Sequence, residues 1–271
     1  MIPLTAAEIA DAVGGRLGEG TPPEVLVTAD AVVDSRRADP GSLFVAVAGE
    51  TADGHDYVGA AFGGGAALAL VSRPVDGPHV LVEDTVEALG ELARTVLARL
   101  REHGGIRVVG ITGSVGKTST KDLLGQVLAT HGPTVAPVAS FNNEIGLPLT
   151  VLRADRTTRY LVLEMGASGI GHIDYLTRIA PLDVAVVLMV GHAHLGEFGG
   201  IEAVARAKRE IIEGLTPAGT SVLNVDDPRV AAMAEHAPAE VVLFGAADAA
   251  HVRAVDVELD PGGRARFTLH A

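Results

Sequence analysis

Gly110-Ile-Thr-Gly-Ser-Val-Gly-Lys-Thr-Ser-Thr120 is the stretch that decides the fold. An apolar run, Ile106 to Ile111, leads into it and a helical pattern follows. Strand, glycines, lysine, hydroxyls and helix, in that order, are what a phosphate-binding loop needs. Glycines let backbone N–H groups turn onto a phosphate. The helix N-terminus adds partial positive charge, the lysine adds a full one, and a hydroxyl can ligate Mg²⁺. Gly113, Ser114, Gly116, Lys117, Thr118 and Ser119 are therefore the candidate nucleotide contacts, with Lys117 for the phosphates and Thr118 for the metal. The strict nucleotide-motif spacing asks for glycine at 111, which is Ile111; the outer glycine, Gly110, stands one residue earlier.

Working outward, strands and helices alternate from Ile106 onward. Strands are expected at 106–111, 134–138, 159–165, 183–190 and 219–225. Helices are expected at about 117–130, 145–153, 171–179, 200–214 and 228–236. The apolar runs Leu161–Leu163 and Val184–Val190 suit strands covered on both faces. This pattern predicts an α/β fold whose sheet is mostly parallel and flanked by helices, with ligands at the carboxyl ends of the strands. A β-hairpin, His251–Leu259 with Arg264–Leu269, closes the sequence.

Residues 1–83 read as a separate small α/β domain. Thr5-Ala-Ala-Glu8 is a capping box for a short helix ending at Gly14-Gly15. Val25–Val33, Ser42–Val47, Ala67–Val71 and His79–Val82 read as strands. Asp84-Thr-Val-Glu87 opens a long helix whose apolar residues recur at helical spacing. The expected boundary falls before it, giving domains 1–83 and 84–271.

Composition removes several classes of function. There are no cysteines, so disulfides, thiolate metal ligands and thiol catalysis are excluded. A net charge of −13 argues against a nucleic-acid surface. It leaves a phosphate ligand open, because a small site is governed by local charge. The seven-residue run Val184–Val190 is far too short to span a membrane. With no signal-type segment at the N-terminus, a cytoplasmic protein without membrane insertion is expected. The 21 basic residues comprise 18 Arg and only three Lys: Lys117, Lys121 and Lys208. Lys208 is thereby singled out, either as a solvated helix lysine or as a residue that arginine cannot replace.

Other candidates carry two readings each. Glu164 ends an expected strand and can hold Mg²⁺ or cap the next helix. Asn142 and Asn143 can bind a polar ligand or form a turn. His194, beyond a buried strand, can orient a phosphate or metal or be structural. Arg36, in Asp34-Ser35-Arg36, can clamp an anion or belong to a polar turn. Asp227-Pro228 reads as a helix N-cap with proline at the first helical position.

Taken together, these residues resemble the Mur ligase family. The resemblance spans the whole chain. It rests on Ile2–Thr5, Asp34-Ser35-Arg36, Asp53-Gly-His-Asp56, Thr112–Thr120, Asn142–Pro148, Glu164-Met-Gly-Ala167, Ala193-His-Leu195, Ala207-Lys208 and Asn224–Asp227. The Asn142–Pro148 and Glu164–Ala167 stretches favour the branch that adds D-Ala-D-Ala to UDP-MurNAc-tripeptide. What the resemblance implies is an ATP- and Mg²⁺-dependent ligase. It activates a carboxylate as an acyl phosphate and then forms an amide. Lys117 would contact the β/γ-phosphates and Thr118 one Mg²⁺. Glu164 and His194 would hold or orient a second metal. Lys208 would match the family lysine carbamylated by CO₂, a modification that makes it an anion able to support Mg²⁺. Lys117, Lys208 and His194 would thus be catalytic. Ser35, Arg36 and His55 would touch the UDP-linked precursor, and Asn142 and Asn143 the acceptor peptide or phosphates. A monomer is implied.

Two departures stand out. The family commonly has asparagine at the position of Met189. The family's C-terminal domain and G-x-H-N segment are not in this sequence, so a truncated fragment, inactive alone, is expected. The alternatives are a paralogue joining another amine and carboxylate, and a non-catalytic nucleotide- or UDP-sugar-binding module.

Overall fold

The computed structural model describes residues 1–49, 51–137, 139–191 and 199–271. It divides into two compact units. The first comprises Met1–Ile106, Gly132–Pro137 and Glu144–Leu161; the second comprises Arg107–His131, Val138–Asn143 and Val162–Ala271.

In the first unit, Thr5 and Glu8 make the expected reciprocal capping box at the start of the Ala6–Ala12 helix. A five-stranded sheet runs in the order Arg16–Leu17, His79–Leu81, Leu68–Val71, Leu43–Val45, Ala31–Val32. All its pairings are parallel except the edge pair of Arg16–Leu17 with His79–Leu81. Phe44, Val58, Ala61, Ala69 and Val71 form a buried cluster within this unit. The strand expected over Val25–Val33 is instead two short ones, Leu26–Val27 and Ala31–Val32, in different sheets. Thr28 and Ala29 break the run because both donate their N–H to the Gly41 carbonyl. Asp84 caps the Thr85–Glu102 helix by accepting the N–H groups of Val86 and Glu87. That helix packs against Gly146–Leu152, every residue of which is buried.

The larger sheet has eight strands. Their order is Ala265–His270, Val252–Leu259, Val241–Gly245, Leu215–Asn224, Leu182–Val187, Arg107–Thr112, Tyr160–Glu164, Thr134–Val135. Only the terminal hairpin pairing is antiparallel among those whose direction is defined. The expected α/β class, with a mostly parallel sheet flanked by helices, is the observed one. Several boundaries differ. The strand expected over 134–138 stops at Val135, and Pro137 has no N–H to extend a ladder. The strand expected over 183–190 stops at Val187, and Val184 and Val186 within it are only partly buried. Gly110 lies inside the Arg107–Thr112 strand, as the strand expected at 106–111 has it. A Cβ there would lie 2.5 Å from Leu182 Cδ1, so this glycine serves close packing between neighbouring strands. No helix among the described residues is long and apolar enough to cross a membrane.

Candidate functional site

Four neighbouring strands of the second unit end at Glu164, Thr112, Val187 and Asn224. Their following loops meet at one edge of the sheet and are bonded to one another. The Thr112 hydroxyl donates to Met165 O at 2.9 Å, and Leu188 N donates to Thr112 O at 3.0 Å. Ser114 N donates to Met189 O at 2.9 Å, and Gly191 N donates to Ser114 Oγ at 2.8 Å. Asn224 Nδ2 donates to Leu188 O at 2.9 Å, and Asp227 Oδ2 accepts Val190 N at 2.8 Å. The residues beyond Val187 are thus held by backbone and side-chain bonds to the neighbouring loops. Position 189 holds the loop through its backbone carbonyl, which methionine supplies as well as any residue.

The glycine loop follows Thr112. Gly113 lies so close to the next strand's continuation that a Cβ would meet Leu188 Cβ at 2.9 Å. Gly116 has φ +85° and occupies the N-cap of the Lys117–Ala129 helix, where no side chain caps the first turn. The left-handed conformation there favours glycine. First-turn N–H groups without a side-chain cap, at the positive end of a helix, are a ready anion site. Lys117 is half-buried, and its Nζ donates to Gly113 O at 2.9 Å, which holds the ammonium over the loop. Ser119 is exposed on the same first turn.

Thr118 Oγ1 donates to Glu164 Oε2 at 2.9 Å and lies 3.2 Å from Ser140 Oγ. The other oxygen of Glu164 accepts Asn142 Nδ2 at 2.9 Å. Asn142 is itself held, because its carbonyl accepts Gly166 N at 2.8 Å. Glu164 is buried, so these bonds replace the water it would otherwise carry. Asn142 therefore spends its amide on orienting Glu164. Asn143 next to it is exposed. Lys208 is buried in the Ile201–Glu213 helix. Burial, with the charge of Lys117 adding to it, pushes its ammonium down to about 8. The structure thus assembles Lys117, Thr118, Glu164 and Asn142 at the strand ends, with Lys208 near enough to feel Lys117. His194 lies outside the described residues.

Ser35, Arg36 and His55 belong to the first unit. Ser35 and Arg36 form a 3₁₀ turn capped by Asp34. Exposed Arg36 grips that carboxylate through Nε at 2.9 Å and Nη2 at 2.7 Å. These bonds hold the Asp34 carboxyl down at about 2. His55 is buried, with Nδ1 2.6 Å from Asp53 Oδ1. Its Nε2 accepts Ser72 N at 2.9 Å. Both ring nitrogens are engaged inside the protein, which makes His55 a brace between its turn and the Leu68–Val71 strand end.

Asp227 is the expected N-cap, accepting Arg229 N at 2.9 Å. Its second oxygen has the further bond to Val190, which the sequence did not signal. Ser140 was likewise missed. Asn224 stood inside the strand expected at 219–225 and in the Asn224–Asp227 stretch of the resemblance, with no role given to its side chain.

The model of the Mur ligase middle domain matches residues 111–270. The chain belongs to the Mur ligase family. Relatives agree with this. UDP-N-acetylmuramoyl-tripeptide–D-alanyl-D-alanine ligase of Mycobacterium bovis is 46% identical over 295 aligned positions, covering 100% of this chain and 58% of that protein. A crystal structure of MurF from Acinetobacter baumannii superposes with TM-score 0.89 at 35% identity, covering 100% of this chain and 59% of that one. MurF ligase from Thermotoga maritima, solved in complex with ADP, gives TM-score 0.79 at 35% identity, with 90% and 56% covered. This Mur ligase chain therefore spans somewhat over half the length of the relatives it matches.

Proposed function

We propose that the chain is part of an ATP-dependent ligase that joins D-Ala-D-Ala to UDP-MurNAc-tripeptide. The observation that carries this reading is the Thr118–Glu164–Asn142 cluster beside the uncapped glycine-loop helix, in a chain 46% identical to a ligase of that name. The domain reading of the sequence goes with it: residues 1–83 for the UDP-linked precursor and 84–271 for ATP.

On this reading the first-turn amides and Lys117 take the β- and γ-phosphates of ATP. Attack of a substrate carboxylate on the γ-phosphorus gathers negative charge, and fixed donors at that place stabilise it without reorganising. The hydroxyl of Thr118 and the carboxylate of Glu164 are oxygen donors 2.9 Å apart, the ligand type that Mg²⁺ takes. Bound there, Mg²⁺ would supply further neutralisation of phosphate charge. Asn142 keeps the Glu164 carboxylate turned toward Thr118. Lys208, eased toward its neutral form, can add CO₂ through its nitrogen and release one proton, becoming an anion. His194 would join the metal ligands. Ser35, Arg36 and Asn143 would meet substrate, and His55 would brace its own Gly54–Tyr57 turn. The enzyme would work in the cytoplasm as a monomer.

The test is a coupled ADP-release assay on the complete protein encoded by the gene, with UDP-MurNAc-tripeptide and a panel of amines. Turnover with D-Ala-D-Ala above all other amines is expected. Preference for a different amine, or binding of ATP·Mg without any amide product, would overturn the reading.

A further inference from the structure

Glu210 is a buried carboxylate that the phosphate chemistry leaves unused. It lies two residues beyond Lys208 on the Ile201–Glu213 helix. Its Oε1 accepts Gly171 N at 2.7 Å and its Oε2 accepts Asp174 N at 3.0 Å. Those N–H groups open the His172–Ile179 helix, whose N-cap is Gly171, at φ +90° and without a side chain to cap it. The missing cap is supplied by a carboxylate from a different helix. Negative charge at a helix N-terminus is stabilising, and more so when partly buried. Near the other end of the same helix, Gly214 approaches Thr177 so closely that a Cβ would stand 2.2 Å from Thr177 Cβ. The two helices are therefore pinned to each other at both ends of His172–Ile179.

The His172–Ile179 helix is tied in turn to Glu164. Only Met165–Gly171 separates them, and Gly166 within that stretch donates to the carbonyl of Asn142, whose side chain holds Glu164. On the other side, the Lys208 helix buries one ammonium close to the charge of Lys117. Burial of a cation near a like charge is unfavourable.

We propose that Glu210 is a positioning residue: its carboxylate, bonded to the amides of Gly171 and Asp174, fixes the Lys208 helix in register with the loop that follows Glu164. It thereby sets where Lys208 stands relative to Glu164 and Lys117. This rests on the ligase reading and deepens it, by naming the group that holds the two halves of the site together.

The test compares Glu210→Gln and Glu210→Ala with Thr5→Val in the complete protein, at a temperature where each variant is folded. Thr5→Val removes a helix cap in the first unit and serves as the stability control. Because small displacements of reacting groups cost rate more than binding, Glu210→Ala should lower kcat at least about tenfold and change KM for ATP by less than about twofold. Glu210→Gln keeps one acceptor oxygen and should fall between Ala and wild type; it decides the case if Glu210→Ala does not fold. Thr5→Val should keep wild-type kcat. Wild-type kcat in both Glu210 variants, or a loss no larger than that of Thr5→Val, would overturn the role given to Glu210. A wild-type protein that makes no amide at all would overturn the ligase reading instead.

Discussion

Lys117 and Lys208 carry the same side chain into different surroundings. Lys117 stands at the first position of a helix, half-buried, with its ammonium on the Gly113 carbonyl. Lys208 stands mid-helix, buried, and the two influences on its charge, burial and Lys117, both disfavour it. One lysine stands at a helix N-terminus, where its ammonium and the first-turn amides face one anion site. The other is placed where its charge is unfavourable. A residue kept in such a place is a functional candidate. In a chain with 18 Arg and three Lys, both positions resist the general preference for arginine. Guanidinium would be too broad for a glycine loop at the first position. At the second it would neither lose its proton nor take up CO₂.

The largest effect should come from removing Lys117. Lys117→Ala takes away the side-chain charge held over the glycine loop. Fixed charges of this kind are worth about 3 kcal/mol or more, so kcat/KM of the complete protein should fall at least about 100-fold. Calorimetric titration should show ATP·Mg affinity falling with it. Lys208→Arg should separate the two lysines. If Lys208 acts after losing its proton, turnover should fall about tenfold or more while ATP·Mg affinity stays within about threefold. Equal losses of affinity in both variants would erase the distinction.

The difference also explains what could be read from the sequence. Lys117 was legible because a strand, a glycine loop and a helix are local patterns with a fixed spacing. The alternation of strands and helices from Ile106 onward gave the sheet for the same reason. Lys208 was legible only through the scarcity of lysine and a family resemblance, since nothing within its own helix marks it. What escaped was the bracing between distant segments: Asn142 on Glu164, Asp227 on Val190, Glu210 on Gly171. Each joins residues between 22 and 39 positions apart, and neither periodicity nor capping rules reach across such gaps. Gly110 was placed in its strand, but the reason for a glycine there escaped for a related reason. Its crowding by Leu182 exists only once the two strands are paired.

The smallest effect should be on stability, and its pH dependence distinguishes a buried ammonium from a solvated one. In the unfolded chain Lys208 titrates at 10.5 and in the folded chain at about 8. Below pH 8 both states hold the proton, and the folded state carries the whole penalty of the buried charge. Between pH 8 and 10.5 the unfolded state binds more protons, so stability rises with pH across that window. Above 10.5 both are neutral and the penalty is gone. The shift corresponds to at most about 3 kcal/mol, and relaxation around the site should leave roughly 1–2 kcal/mol. Lys208→Met, which keeps the length of the side chain and drops the charge, should therefore be more stable than wild type at pH 7. Its advantage should shrink steadily as the pH approaches 10.5. Urea unfolding of both proteins at a series of pH values measures this directly. A constant difference between them would mean that Lys208 reaches water, and that the two lysines differ in position alone.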